Sequence, residues 1–285
     1  MQTDAARRLW QAIEPLHAAV YFAPETAAAA KDVGLKGYWM GYFAGRAAPL
    51  GPVGPEPVTA TFFGFAPWMV ARALPDAWGF ARPDQVLSTR VAAVVSVLQP
   101  FLDKAEAEEL ASLLEAAVGG CSFDGRPLAA AWSSVDVDGA GGGPVAAAWL
   151  GTSVLREHRG DGHVAAAVGL GLTGLETSIT HVASGALSRQ VWQPTRGWTD
   201  EEWDSAAARL ATRGVLDGDG RLTAAGKALR AGLEESTDRL AMGPVEALGP
   251  DGVERVVALA GGVSQKLTEA GVVPAVTPIG TGTAR

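Results

Sequence analysis

Ionisable side chains are concentrated in one short string of the sequence. Residues 156–163 read Arg-Glu-His-Arg-Gly-Asp-Gly-His and hold two of the chain's four histidines. The guanidinium of arginine matches the planar, two-oxygen geometry of a carboxylate, and imidazole exchanges protons near neutral pH. Because apolar segments precede and follow this string, it predicts a polar site held between helices.

Two kinds of ligand would suit this string. In an anion site, Arg156 and Arg159 would anchor an oxyanion, and His158 or His163 would act as the acid or base of a reaction whose class stays open. In a metal site, both histidines and a carboxylate would be the ligands. The spacing matches no standard metal motif and the arginines would repel a cation, so we assign no metal ligand.

The third interpretation of the string is structural. Glu157 and Asp161 would pair with Arg156 and Arg159 in a buried network of salt bridges, which proteins of any function can contain. The two glycines of the string allow the backbone to turn, and Asp161 suits the N-cap of a helix that begins at His163. The sequence therefore predicts a helix break here, and all four charged residues are candidate ligand-binding residues.

A second set of candidates lies in the N-terminal half. His17 and Tyr21 are one turn apart on the buried face of the first predicted helix, and Tyr42 and Arg46 are one turn apart on an aromatic helix predicted for 36–47. Each residue alone is explained by a place in the core or, for Arg46, by capping of helix carbonyls. Together they would give a ligand pocket with flat apolar walls. The wall candidates are Tyr21, Trp39, Tyr42 and Phe65.

The elements that would position these residues are mostly helical. Apolar residues, 48% of the chain, recur three to four positions apart over most of its length. An N-terminal helical domain is predicted for 1–135, a C-terminal helical domain for 144–273 and a tail for 274–285. A second, degenerate winged-helix-like half at the N-terminus is left open.

The clearest element is a winged-helix unit at 198–240. Thr199 and Glu202 form a capping box at the start of a helix. Two short strands would flank the tight turn at 217–220, and a second helix would continue to Leu240. The predicted fold is therefore mostly α: a multi-helix protein whose C-terminal half contains a helix, a short β-hairpin wing and a helix.

The charge of this unit disfavours DNA as a partner. The helix before the wing begins Thr-Asp-Glu-Glu-Trp-Asp at Thr199, and the whole chain carries a net charge of −8. Affinity for duplex DNA comes largely from Lys and Arg that neutralise phosphates. The acidic residues are explained by their favourable position at a helix N-terminus.

The composition of the chain excludes several structural features. One cysteine, Cys121, excludes an intramolecular disulfide, and no apolar run is long enough to span a membrane. The amphipathic N-terminus lacks the apolar core of a signal peptide. We expect a cytoplasmic protein without membrane contacts.

Several segments resemble a family of helix-turn-helix proteins common in actinobacteria. The matching segments are LHAAVYF (16–22), GYFAGRAAPLG (41–51), LREHRGDGH (155–163), RGWTDEEW (196–203) and GRLTAAG (220–226). The resemblance covers most of the chain, and 155–163 is its most specific part. It implies a winged-helix fold and transcriptional regulation. The family often has Asn where this chain has Gly64 and Trp132, which implies a different ligand if both positions line a pocket.

Three functional hypotheses follow. The first is a winged-helix scaffold that binds a small, anionic organic ligand, with or without acid/base chemistry by histidine. The second is a ligand-responsive, DNA-binding transcriptional regulator, which would form a homodimer. The third is a haem or metal protein with His17, His158 or His163 as ligand; the sequence leaves the cofactor unidentified.

Overall fold

A computed structural model describes residues 2–139 and 142–274, so most of the predicted tail at 274–285 lies outside the described residues. The described part is built from α-helices joined by turns and three short 3-10 helices. A search for a helix long and apolar enough to cross a bilayer finds none in it. The helices are α1 (Gln2–Phe22), α2 (Pro24–Asp32), α3 (Gly37–Ala47), α4 (Pro55–Phe62), α5 (Pro67–Ala71), α6 (Pro83–Leu98), α7 (Lys104–Gly119), α8 (Pro127–Ser133), α9 (Gly143–Gly169), α10 (Gly174–Ala183), α11 (Arg189–Arg196), α12 (Asp200–Thr212), α13 (Ala224–Leu240) and α14 (Met242–Glu269).

Buried apolar side chains form two clusters. The larger cluster joins the N-terminal helices with the first half of α9 and with α14, and contains Leu16, Phe43, Trp149 and Val256. The smaller cluster lies among α10, α12 and α13 around Leu210. The division into domains at 135 and 144 stays a prediction, and the larger cluster contains residues from both sides of it.

The predicted break in the 156–163 string is wrong, because α9 continues through it from Gly143 to Gly169. A Cβ on Gly162 would lie 2.9 Å from Nη1 of Arg126, so this glycine makes room for a side chain rather than a turn. Asp161 does cap a helix, but a different one from the helix predicted. Its carboxylate accepts hydrogen bonds from the amides of Leu128 and Ala129, both at 3.0 Å, in the first turn of α8.

The helix-turn-helix region keeps its predicted helices and loses its predicted wing. The capping box of Thr199 and Glu202 begins α12 as expected. The predicted strands are reduced to a single antiparallel bridge, between Leu216 and Leu222, in the residues the structure describes. Longer strands have little room here, because α12 ends at Thr212 and α13 begins at Ala224. The hydroxyl of Thr223 donates to the carbonyl of Gly214 at 2.6 Å and also caps α13.

Candidate functional site

Four charged side chains from α1, α3 and α9 form a buried group that we call the charge network. Arg46 donates two hydrogen bonds to Glu157, at 2.8 and 2.7 Å. Arg156 donates to the same carboxylate at 2.7 Å and reaches Glu14 at 3.3 Å. The geometry at Glu157 is the two-pronged pairing that makes arginine–carboxylate contacts strong.

The two carboxyl groups of the charge network differ in their electrostatics. Burial by itself would raise the pKa of Glu157, but the charges of Arg46 and Arg156 outweigh burial and hold that pKa well below its ordinary value. For Glu14, burial outweighs Arg156 and raises the pKa. Glu157, opposite two guanidinium groups, is therefore the carboxyl group of the network whose ionised form is the more strongly stabilised.

His17, three residues after Glu14 on α1, contacts the first tyrosine of a cavity. Its Nδ1 lies 3.0 Å from the hydroxyl of Ser153, which itself donates to the carbonyl of Trp149. Its Nε2 lies 3.0 Å from the hydroxyl of Tyr21. Because the Ser153 hydroxyl proton is already committed, Nδ1 donates and Nε2 accepts from Tyr21. Burial lowers the pKa of His17 well below its ordinary value, so the ring is neutral.

A cavity of about 220 Å³ lies beside this group, between α2, α3 and α6. We call it the tyrosine cavity, because its walls include Tyr21, Tyr38 and Tyr42, which are all three tyrosines of the chain. Tyr21 is buried, whereas Tyr38 is half exposed. The cavity therefore runs from the surface inward to the hydrogen-bonded pair of Tyr21 and His17.

Arg90 of α6 lines the tyrosine cavity and has no counter-ion. Its Nε and Nη2 atoms are buried without a hydrogen-bond partner, and no carboxylate pairs with it in the described part of the chain. Its guanidinium carbon lies 5.2 Å from the ring centre of Tyr21 and 5.8 Å from that of Trp149. A Cβ on Gly45 would lie 2.7 Å from Nη1, so glycine provides the space that Arg90 occupies. Burial lowers the pKa of Arg90.

Sequence reasoning missed Arg90, although the sequence carries a signal for it. Val86 and Val94 stand one turn before and after Arg90 on the same helix face, and both are buried. A charged residue in an otherwise apolar stripe is the feature that identifies a buried polar group. Glycines four residues apart at 37, 41 and 45 are a second signal, since they place three side-chain-free positions on one face of α3.

Arg159 and His163 lie in a second cluster, away from the tyrosine cavity. Arg159 donates to Asp238 of α13 at 2.7 Å, and Arg7 donates to the other oxygen of Asp238 at 2.6 Å. Nδ1 of His163 lies 3.0 Å from the hydroxyl of Thr237. Burial, the largest influence, lowers the pKa of His163 to about 4.

His158 and Asp161 lie in a third place, against α8 and Arg126. Both ring nitrogens of His158 are buried and have no partner among the described residues. Burial lowers the pKa of His158 to about 4 and raises that of Asp161 to about 6. Arg126 donates to the carbonyl oxygens of His158 and Leu240, which holds α8 and α13 against α9.

Of the predicted site residues, six come together at the charge network and the tyrosine cavity, and four do not. The six are His17, Tyr21, Tyr42, Arg46, Arg156 and Glu157. The other four are His158, Arg159, Asp161 and His163. No group of three or more His, Cys, Asp or Glu side chains is placed to hold a metal ion within 2–139 and 142–274.

A wider surface groove of about 910 Å³ lies between the start of α1 and α13. Four of its charged side chains are already paired. Arg7 contacts Asp238 and Arg230 contacts Glu234, each at 2.6 Å. This groove has no equivalent of the buried, uncompensated cation found in the tyrosine cavity.

Comparison with known proteins identifies one relationship. Neither the curated proteins nor the solved structures contain a match to this chain. Residues 6–274, nearly the whole chain, match the family described as a helix-turn-helix family. The chain therefore belongs to this helix-turn-helix family.

Proposed function

We propose that the protein binds a small organic anion in the tyrosine cavity, with the ligand's carboxylate at Arg90. The observation that carries this proposal is the guanidinium of Arg90, which lines a cavity and has no acceptor or counter-ion in the described part of the chain. A buried charge without a partner costs the folded protein several kcal/mol, by general estimates of ion desolvation. A bound carboxylate would offset that cost and satisfy the guanidinium.

The charge balance around the cavity supports an anionic ligand over a neutral one. Arg46, Arg90 and Arg156 all approach the tyrosines, the last with its guanidinium carbon 5.7 Å from the ring centre of Tyr21. Glu157 is the carboxylate held ionised among them. This region therefore has more positive than negative charge, and a ligand with one negative charge would reduce the excess.

The sequence-based hypothesis gave the anchoring role to Arg156 and Arg159. Both already have a carboxylate from within the chain, at 2.7 Å in each case. The proposal therefore assigns the anchor to Arg90 and gives Arg156 a supporting electrostatic role. Acid/base chemistry by His158 or His163 stays a hypothesis, and His17 is the histidine joined to the cavity through Tyr21.

The test is a binding measurement on the whole chain. Native mass spectrometry would search freshly purified protein for a bound molecule, and thermal-shift screening with sodium carboxylates from formate to naphthoate would follow. We expect at least one carboxylate to stabilise the wild type and to have no such effect on Arg90→Gln. Arg82→Gln is the matched control, because Arg82 is an exposed residue just before α6 that pairs with Asp84. The proposal would be overturned if carboxylates stabilise Arg90→Gln as much as they stabilise the wild type. It would also be overturned if no carboxylate stabilises the wild type.

A ligand-responsive, DNA-binding regulator is the second candidate, and family membership favours it. It would use the helix-turn-helix region at 198–240, act as a homodimer and work in the cytoplasm. The acidic start of α12 opposes it, since Arg189, a cation next to this helix start, is already paired with Asp200 and Asp204. A gel shift on the protein's own upstream DNA at low salt distinguishes the two candidates. A salt-sensitive shift would support the DNA-binding regulator. A ligand that alters the shift would show that the protein both binds DNA and responds to a ligand.

A further inference from the structure

The tyrosine cavity has walls suited to one shape of ligand. The rings of Tyr21 and Tyr42 have centroids 5.2 Å apart, and those of Tyr42 and Tyr38 are 6.2 Å apart. These rings form a continuous series from the buried end of the cavity to its exposed end. A second aromatic ring gains most beside such a series, because offset and edge-to-face ring pairs are favourable beyond their buried area.

The buried end of the cavity, where Arg90 lies beside Tyr21, determines where the charge of a ligand would lie. Gly45 is buried, and the space left by its missing side chain holds Nη1 of Arg90. Val20, Leu35 and Val86 add apolar surface to the lining of the cavity. A ligand with its charge at Arg90 and its apolar part directed outward along Tyr42 and Tyr38 would match this arrangement.

Volume limits the size of that ligand. About 220 Å³ is below the range of roughly 300–1,000 Å³ that is typical for pockets of drug-sized ligands. Gly41 brings α3 against α2, since a Cβ on it would lie 3.3 Å from the methyl group of Ala30. The close contact between the two helices limits the cavity on this side. One ring with a short acidic substituent fits these dimensions better than a fused ring system.

We infer that the ligand is a single-ring aromatic carboxylate, of the benzoate and phenylacetate class. This inference rests on the proposed function and narrows it. Arg90 binds the carboxylate, and the faces and edges of Tyr42 and Tyr38 contact the ring. Tyr21 packs beside the guanidinium of Arg90, while its hydroxyl stays bound to His17.

The experiment is calorimetric titration of the full-length chain with four probes. They are benzoate, cyclohexanecarboxylate (the same charge without a planar ring), benzamide (the same ring without charge) and 2-naphthoate (a larger ring system). We expect benzoate to bind about threefold to tenfold more tightly than cyclohexanecarboxylate, the factor that one aromatic pair contributes. Benzamide should bind at least tenfold more weakly than benzoate, and naphthoate more weakly than benzoate.

Two variants separate the ring from the charge. Tyr38→Leu, at a half-exposed position that does not endanger folding, should weaken benzoate binding and leave cyclohexanecarboxylate binding nearly unchanged. Gly45→Ala should weaken both carboxylates, because a methyl group there collides with Arg90; Gly261→Ala, on a helix with open space around it, is the matched control.

The possible failures are distinguishable. If cyclohexanecarboxylate binds as tightly as benzoate, the aromatic class is overturned while anion binding stands. If naphthoate binds more tightly, the single-ring limit is overturned. If benzamide equals benzoate, or if none of the carboxylates binds, the assignment of the charge to Arg90 fails and the proposed function fails with it.

Discussion

Arg46 and Arg90 make the most informative comparison in the molecule. Both approach tyrosines of the same cavity, Arg46 from α3 and Arg90 from α6. Arg46 has both oxygens of Glu157 within 2.8 Å, whereas Arg90 has no carboxylate partner in the described residues. The pairing with Glu157 accounts for the burial of Arg46 within the fold. Arg90, which contacts the rings of Tyr21 and Trp149, is where we propose that a ligand binds.

We interpret this difference as a division between residues that stabilise the fold and residues that bind a ligand. The charge network holds α1, α3 and α9 in fixed positions, and the tyrosine cavity depends on those positions because Tyr21 is on α1 and Tyr42 on α3. Substitutions in the network should therefore change stability, and substitutions at Arg90 should change ligand binding. The predictions that follow test this division, from the largest expected effect to the smallest.

The largest effect is expected for Glu157→Gln. This change leaves Arg46 and Arg156 without their shared carboxylate, and breaking a buried pair by removal of one partner costs about 3–5 kcal/mol. Equilibrium denaturation with urea measures it. Glu254→Gln is the control, since Glu254 forms an exposed pair with Arg8 and should give little change. Equal effects of the two variants would contradict the structural role of the network.

Lowering the pH should reduce the stability of the whole protein without changing ligand binding at the tyrosine cavity. His163 has a pKa of about 4 in the folded protein and about 6.5 in the unfolded chain. Between these values the unfolded chain binds more protons, so stability falls as the pH drops from 6.5 towards 4. At pH 5 the loss from one such histidine is on the order of 2 kcal/mol. His158 adds to this loss, and Asp161, whose pKa is raised to about 6, works in the opposite direction.

Denaturation at pH 7 and pH 5 measures this dependence, and His163→Asn should reduce it while keeping a group near Nδ1. No histidine lines the tyrosine cavity. Carboxylate binding to the folded protein should therefore change little between pH 5 and pH 8, although stability falls at the acidic end of this range. A binding constant that follows the histidine titration would refute the division between the two regions.

Arg90→Met should have a smaller effect of opposite sign. Replacing a buried, unpaired guanidinium by an apolar side chain removes a desolvation cost, so we expect stability to rise by about 1–2 kcal/mol in the absence of ligand. Carboxylate binding should be lost in the same protein. Arg46→Met, the matched change in the charge network, should destabilise instead. A loss of stability in both variants would show that Arg90 has a structural role after all.

The smallest effect is expected where the two regions meet. Tyr21→Phe removes the hydroxyl that donates to His17 at 3.0 Å and should cost about 1 kcal/mol. Tyr38→Phe removes a half-exposed hydroxyl from the same cavity and should leave the free energy of unfolding unchanged. If the two variants behave alike, the hydrogen bond between Tyr21 and His17 does not contribute to stability.

The sequence predicts local features well and contacts between distant segments poorly. The capping box at Thr199 is confirmed, because its partner Glu202 is only three residues away. The pairing of Arg46 with Glu157 spans 111 residues, and no spacing rule reveals it. The break predicted within α9 failed because glycine's local preference for turns was outweighed by packing against Arg126 and α8.

Only the parts of the candidate site that depend on local spacing can be predicted from the sequence. Tyr42 and Arg46 were identified from their spacing on one helix, whereas Arg90 could be recognised only once α6 was packed against α3. The predicted wing failed for a local reason that the sequence also contains. Thr223 is a good helix cap, and the start of α13 directly after it leaves few residues for a second strand.

The pairing of α1 with α14 has a consequence for how the protein is made. Ser264 donates to the carbonyl of Ala12 at 3.0 Å, and Arg8 contacts Glu254 at 2.7 Å. The core around α1 therefore lacks one wall until residues beyond 260 have left the ribosome. Until α14 is synthesised, apolar side chains of α1 would remain exposed. A chaperone that binds exposed apolar surface of nascent chains would bind there. A stalled chain that ends at the helix-turn-helix region should accordingly be more sensitive to protease in α1 than in α12.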